Sequence, residues 1–433
     1  MQLKDKLIQA FNKAVENGLS FKAVREASMR QFENNGFPTI KDEEWKYTNL
    51  LPVLKKDYSL ESQANSITQA ELNEYILTDT DSYLLVFVNG VLSEELSTLA
   101  SDSFVISTLK SAHGTHSEIV QKYWNSCLPE KTDSLVAMNT ALAEEGAFIY
   151  VPKSVVVNKP IQIVHATKGV SEEAFLQTRS LIIAEENAQV RITQRHQNFD
   201  SKSVFTNAVT EICATENSVV DCYKIQNDNR SCSLVDNTWI QQAKGSNCTV
   251  DTFSFGGQFT RNNLSFLLSG EHAESNMNGI SMIGQDQLVD HHTFVDHSVP
   301  NCLSNELYKG IYGDNAKGVF NGKVMVRSDA QKTNAFQANN NLLLTDNASI
   351  DTKPQLEIYA DDVACSHGCT IGQLDEEALF YMRSRGIAKK EAQALLMYAF
   401  TNDVLESIKI PELQNKLNRI IADKLGVELD LEI

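Results

Sequence analysis

The 433-residue sequence has no run of eighteen apolar residues, so no helix of it is expected to span a bilayer. It is short of positive charge: 38 Lys and Arg stand against 56 Asp and Glu, a formal charge of −18. Such a surface repels phosphate backbones and anionic lipid, which argues against nucleic-acid and membrane-surface roles. The motifs of the common enzyme classes are missing too, with no G-x-G-x-x-G, no G-x-S-x-G and no H-E-x-x-H. The nearest approach to a phosphate loop, Gly318 to Lys323, has three residues between its glycines instead of four. Val324 stands where a magnesium-binding hydroxyl belongs. An ATPase, a dehydrogenase, a serine hydrolase and a zincin are therefore not expected. The eight cysteines (127, 213, 222, 232, 248, 302, 365, 369) are scattered with no secretory signal read at the start, so reduced thiols in a cytosol-like compartment are expected rather than a disulfide frame.

What is present is globular. Hydrophobic residues make up 42% and charged residues 22%, enough for a packed core, and the length suits two or three domains. Residues 1–146 read as mostly helical. Leu3, Leu7 and Phe11 share one face of an amphipathic helix. Ser20 is expected to cap a second helix carrying Phe21, Val24 and Phe32, stopped by Gly36 and Pro38. Thr68 and Glu71 have capping-box spacing, and Asn89-Gly90 between apolar runs signals a hairpin. Ser134 to Gly146 reads as a short helix with a glycine stop.

From Ala147 the period changes to short, β-branched, alternating runs. A turn-like phrase of an acid, a polar residue and a small residue recurs at Glu186-Asn187-Ala188, Glu216-Asn217-Ser218, Glu271-His272-Ala273, Asp314-Asn315-Ala316 and Asp346-Asn347-Ala348, with Lys244-Gly245-Ser246 as a looser relative. Successive members lie 27 to 32 residues apart, apart from one gap of 43. That spacing suits a solenoid whose coils return to one corner, residues 147–372 forming a parallel β-helix. An antiparallel sandwich with ordinary Asn turns is the alternative. Residues 373–433 return to helix. Asp375 is placed to cap "EEALFYMRSR" and Gly386 to stop it. A second helix is apolar at Ala392, Leu395, Leu396, Ala399 and Phe400; Pro411 opens a third, striped by Leu413, Leu417, Ile420, Ile421 and Leu425.

Two clusters could carry chemistry. "DHHTFVDHSVPNC" puts His291 and His297 on one strand face, but six residues of strand span about 20 Å, too far for one ion. Surface or core-edge histidines are expected there, and Cys213, Cys222, Cys232 and Cys248 are expected to be buried small hydrophobes. The other cluster is Cys365-Ser366-His367-Gly368-Cys369. On a strand, Cys365 and His367 project from one face about 7 Å apart, with Gly368 expected to turn the chain. Two ligands do not close a site, since structural zinc and iron–sulfur clusters take about four. If metal binds here, the site is an open half-site needing a partner chain or a transient cargo; otherwise the stretch is a tight structural corner.

Around these residues the sequence resembles a known family. "KPQLEIYADDVACSHGCTIGQLDEEALFYMRSRGI" (Lys353 to Ile387), "FNGKVMVRSDAQKTNAFQANNNLLLTDNASID" (Phe320 to Asp351), "DEEWKYTNL" (Asp42 to Leu50) and "VFVNGVL" are similar to segments of the SufB/SufD family of the Suf iron–sulfur cluster assembly machinery. The C-S-H-G form is similar to SufD members rather than SufB ones. The resemblance implies a right-handed parallel β-helix between helical N- and C-terminal domains. It implies a non-enzymatic scaffold that pairs with SufB through the β-helices and docks the SufC ATPase on its C-terminal helices, and that can form a homodimer when isolated. No tightly bound cofactor is implied, only a transient nascent Fe–S cluster shared with SufB. His367 matches the histidine that faces SufB at the cluster-building interface and Cys365 the cysteine two positions before it. Ala364 and Cys369 depart from the usual lysine and alanine, so which sulfur matters stays open. A SufB-like homodimeric scaffold and a carbohydrate-active β-helix enzyme remain the alternatives.

Overall fold

The computed structural model describes residues 2–16, 20–60, 67–99, 101–170 and 173–427. Its core is a parallel β-solenoid with two sheets, of ten and nine strands, between which successive strands alternate. Strand Val204–Ala214, for example, pairs in parallel with Ala174–Ala184 on one side and Cys232–Gln242 on the other, each one coil away. Among the described residues, antiparallel pairing is confined to the N-terminal edge, at the Val91–Leu92 hairpin arm, at Val105–Thr108 and at the isolated bridge Leu84–Thr98. A strand with coils on both sides and a layer outside is buried on both faces, and all eleven residues of Val204–Ala214 are. The β-helix reading holds and the sandwich does not.

The corners explain the stacking. Asn187, Asn217, Gly245 and His272 take left-handed φ values of 59°, 54°, 67° and 61°. Asn and Gly tolerate that conformation best. Each backbone N–H of Asn187, Asn217 and Gly245 donates to the carbonyl one coil on, at 2.9 Å, on Glu216, Lys244 and Glu271. The following small residues Ala188, Ser218, Ser246 and Ala273 are buried, which lets the coils approach. The same corner continues at Asn301 and Lys332, with φ 62° and 58°, where the acid–polar–small phrase does not recur. Asp314-Asn315-Ala316 instead precedes a strand of the other sheet, Lys317–Val326, and there Asp314 takes the positive φ. Asp346-Asn347-Ala348 likewise precedes Ser349–Ile358 of that sheet. The irregular gap of 43 residues arose from merging two corners.

Helical layers cover both sheets. Helix Leu3–Glu16 buries Leu3, Leu7 and Phe11 as its stripe requires. Helix Lys22–Asn35 has no Ser20 cap: Phe21 occupies the N-cap in a left-handed conformation, Val24 is exposed, and Arg25, Met29 and Phe32 form the buried face. These helices and the buried helix Ser134–Leu142 pack on Phe175, Phe205, Val235 and Phe259 of the nine-stranded sheet. Asp133 caps that last helix, which ends at Ala143 with no glycine. The Thr68–Glu71 capping box and the Asn89-Gly90 hairpin are both present. The hairpin strand Tyr83–Val88 joins the ten-stranded sheet beside Ile161–Thr167.

The "DEEWKYTNL" stretch clasps the outside of the nine-stranded sheet. Trp45 is buried under the Arg261 guanidinium, 3.8 Å from ring centroid to Cζ. Arg261 pairs with Asp290 at 2.9 Å, and Thr48 donates to the same carboxylate. At the other end, helices Lys389–Leu405 and Pro411–Leu425 pack on Tyr223, Phe253, Ile280, Met282 and Ile311 of the ten-stranded sheet and on Phe255 just past its strand. Helix Lys389–Leu405 buries Ala392, Ala394, Met397, Thr401, Val404 and Leu405, whereas Leu395 and Ala399, expected on the inner face, are exposed. The third helix buries Leu413, Leu417 and Ile421 as the stripe predicts.

Candidate functional site

The solenoid runs out at its C-terminal end. Strand Ala364–Gly372 is last in the ten-stranded sheet and pairs on one side with Asn334–Leu343; among the described residues its other edge has no strand. Strand Ser349–Ile358 ends the nine-stranded sheet in the same way. The period-2 alternation of an extended strand places Cys365, His367 and Cys369 on one face, toward the lumen. Cys365 packs beside Val324, Val326, Ala335 and Ala360, and its burial raises the thiol above its ordinary value. The Cys369 thiol donates to Thr352 Oγ1 across the lumen at 3.2 Å. His367 lies between the two sulfurs and is exposed, because no further coil covers it.

Gly368 does not redirect the chain, contrary to expectation. It lies inside the strand, pairs in register with Ala338, and a Cβ there would meet nothing within 4 Å. Cys369 therefore shares the face of His367 instead of leaving it. Strand rise separates each sulfur-bearing residue from His367 by about 7 Å along the backbone, and the two cysteines from each other by about 13 Å. Among the described residues no group of three or more His, Cys, Asp or Glu side chains can hold a metal ion. Among the described residues this strand presents a row of possible donors and no closed ligand set.

Sequence reasoning missed what stands behind His367. In register below it are Gln337 and then Glu306, both buried. Gln337 Nε2 donates to Glu306 Oε2 at 2.6 Å, and burial pushes the Glu306 carboxyl up to about 7. Behind these the same ladder is apolar, through Met277, Val250, Cys222 and Ile192. The clue in the sequence is the coil period, since Glu306 and Gln337 are 31 residues apart. Thr352, the partner of Cys369, had no signal of its own.

Of the histidines of "DHHTFVDHSVPNC", His291 and His297 are core residues rather than surface or core-edge ones, and His292 lies at the core edge. His291 Nε2 lies 2.9 Å from Ser281 Oγ and His297 Nε2 lies 2.8 Å from Ser304 Oγ, both rings fully inside the lumen. His292, on the outer face, bridges Asp290 and Glu44 at 3.1 and 3.4 Å. Cys213, Cys222, Cys232 and Cys248 are buried as expected.

Exposed apolar side chains gather around the open end. Phe336, Ile358, Tyr359 and Ile371 are exposed on or beside the last strands. Helix Glu376–Ser384, capped by Asp375 through the N–H groups of Glu377 and Ala378, buries none of its residues. Its Phe380 and Tyr381 are 72% and 59% exposed.

The chain was then compared with known proteins. The family model for the SUF system FeS cluster assembly SufBD core domain matches residues 165–400, and that for the SufBD protein N-terminal region matches residues 3–163. A SufBD family iron–sulfur cluster assembly protein of Synechocystis is 31% identical over 400 residues, covering 89% of this chain and 87% of that protein. Iron-sulfur cluster assembly protein SufD of Escherichia coli is 30% identical over 401 residues, covering 92% and 91%. SufD of Bacillus subtilis is 28% identical over 345 residues, covering 77% and 76%. With both family models side by side along most of its length, the chain belongs to the SufBD family of iron–sulfur cluster assembly proteins.

Proposed function

We propose that this chain is a non-catalytic scaffold subunit on which a nascent iron–sulfur cluster is built and handed on. The observation that carries this reading is the row Cys365, His367, Cys369 on the lumen face of a terminal strand with an unpaired edge. An incomplete ligand set suits a transient cargo. A neutral imidazole binds iron and releases it, whereas a full thiolate set retains it. An unpaired edge is a template for another strand, and apolar side chains surround it. A SufB partner whose own solenoid ends similarly would extend both sheets and supply the missing ligands. A second copy of this chain is the competing occupant, and the carbohydrate-active reading gives way to the family assignment.

The exposed Phe380 and Tyr381 on helix Glu376–Ser384 are assigned to docking the SufC ATPase. Truncation at Lys389 is a poor probe of this, because the helices beyond it cover Phe253, Phe255 and Met282. Replacing Phe380 and Tyr381 together by serine leaves that core alone. Co-expression with SufB and SufC tests the whole reading. The parent should purify with both; the Phe380→Ser, Tyr381→Ser variant should keep SufB and lose SufC. A cross-linker placed at Ser366 should reach SufB. Purification of the parent as a homodimer that ignores both partners refutes the assignment.

A further inference from the structure

Cys127 follows helix Ser117–Tyr123 in the N-terminal layer, and Cys213 lies near the end of strand Val204–Ala214. Their Sγ atoms are 3.0 Å apart and both residues are buried. The sulfurs come from segments 86 residues apart in the chain, and the surroundings pin both. Glu211 accepts the N–H groups of Asn125 and Cys127 at 3.0 and 3.3 Å. Arg179, fully buried, donates to Glu211 and to Asn125 Oδ1 at 2.5 and 2.6 Å. The Cys127 thiol points at the Ile212 carbonyl at 3.4 Å, and Ser126 Oγ lies 3.5 Å from Cys213 Sγ.

We propose that Cys127 and Cys213 are a redox-closable dithiol whose disulfide staples the N-terminal helical layer to the nine-stranded sheet. The oxidant is a peroxide. One thiol gives its proton to the medium and its sulfur attacks a peroxide oxygen, breaking the O–O bond and forming a sulfenic acid and water. The second sulfur then displaces the sulfenic hydroxyl, which leaves with the second thiol proton as water. Two thiols and one hydrogen peroxide thus give one disulfide and two waters, the two electrons passing from sulfur to oxygen. The sulfurs need to close by only about 1 Å to reach bonding distance. The adjacent Cys213 sulfur, burial and the Glu211 carboxylate all push the Cys127 thiol up. The folded pair therefore closes slowly, after the half-exposed Cys365 and Cys369 have reacted, and those two are too far apart along their strand to bridge each other.

The test uses the full chain treated with hydrogen peroxide, blocked with N-ethylmaleimide under denaturing conditions and mapped by mass spectrometry without reduction. The expected result is a peptide pair joined through Cys127 and Cys213, lighter by two hydrogens. Loss of two alkylatable thiols and a melting temperature raised by a few degrees should accompany it, all reversed by dithiothreitol. Cys127→Ser and Cys213→Ala should each abolish the linked peptides and the shift. Mapping of the parent decides the matter even if a variant folds poorly. If both sulfurs remain alkylatable after long exposure, oxidise separately to sulfinic acids, or join other cysteines, the proposal is overturned.

Discussion

The middle and the end of the solenoid use the same strand geometry to opposite effect. Strand Val204–Ala214 buries all eleven residues between two coils and a helical layer, whereas strand Ala364–Gly372 buries none of its nine. The middle of the solenoid holds buried ion pairs, Arg179 with Glu211 at 2.5 Å and Lys224 with Asp236 at 2.7 Å. At the open end the polar side chains that could bind something, His367 and the thiols beside it, face a lumen that no coil covers. Burial is concentrated where the coils are covered, and the exposed His367 lies where the repeat stops.

The sharpest way to break this contrast is to unpair a mid-solenoid charge. Glu211→Ala leaves Arg179 buried with no carboxylate and frees the N–H groups of Asn125 and Cys127. Removing one partner of a buried pair costs about 3–5 kcal/mol, which urea unfolding should register. A loss below about 1 kcal/mol would mean that the middle is not the stable part.

A somewhat smaller effect is expected at Glu306, where the buried middle meets the open end. Its folded value of about 7 lies above the ordinary carboxylate range, so between the two the folded chain binds more protons than the unfolded one. Its contribution to stability therefore falls as pH rises from about 4.5 through about 7. Glu306→Gln keeps an acceptor for Gln337 and removes the titration. At pH 8 it should stabilise the chain by about 2–3 kcal/mol, while at pH 4.5 the two proteins should be nearly equal. Urea curves at both pH values check this, and parallel profiles would contradict it.

Two glycines sharpen the comparison at the low end of the scale. Gly245 sits at a corner with φ +67°, where a Cβ would lie 2.3 Å from Asn217 Oδ1. Gly245→Ala should cost about 1–2 kcal/mol. Gly368→Ala, in the terminal strand with open space around it, should change stability by less than about 0.5 kcal/mol. Thermal melts of the two variants side by side suffice.

The sequence told more about the coil than about its contents. The repeating corner was visible because Asn187, Asn217 and Gly245 are residue types that tolerate a left-handed conformation. Its continuation was hidden because Lys332 carries no such signature and because Asp314-Asn315-Ala316 and Asp346-Asn347-Ala348 mimic the phrase at the other corner. At the site, even spacing placed Cys365 and His367 on one face correctly. Gly368 was misread because a glycine inside an edge strand need not turn at all. The Glu306–Gln337 ladder, the Arg179–Glu211 pair and the Cys127–Cys213 contact join residues 31, 32 and 86 positions apart, beyond any local pattern. Helix faces suffered similarly: Leu395 looked like core, but the solenoid meets the side of the helix that carries Ala394 and Met397.

The central claim is that the exposed imidazole of the terminal strand, rather than the sulfurs flanking it, governs cluster assembly. The direct measurement is the iron and sulfide carried by the complex co-expressed with SufB and SufC, for His367→Ala, Cys365→Ala and Cys369→Ala. Recovery of the intact complex serves as the control for folding. The account predicts the largest loss for His367→Ala, a smaller one for Cys365→Ala, and the least for Cys369→Ala, whose thiol is already engaged by Thr352. A His367→Ala complex carrying as much iron and sulfide as the parent, whichever cysteine proves sensitive, would contradict it.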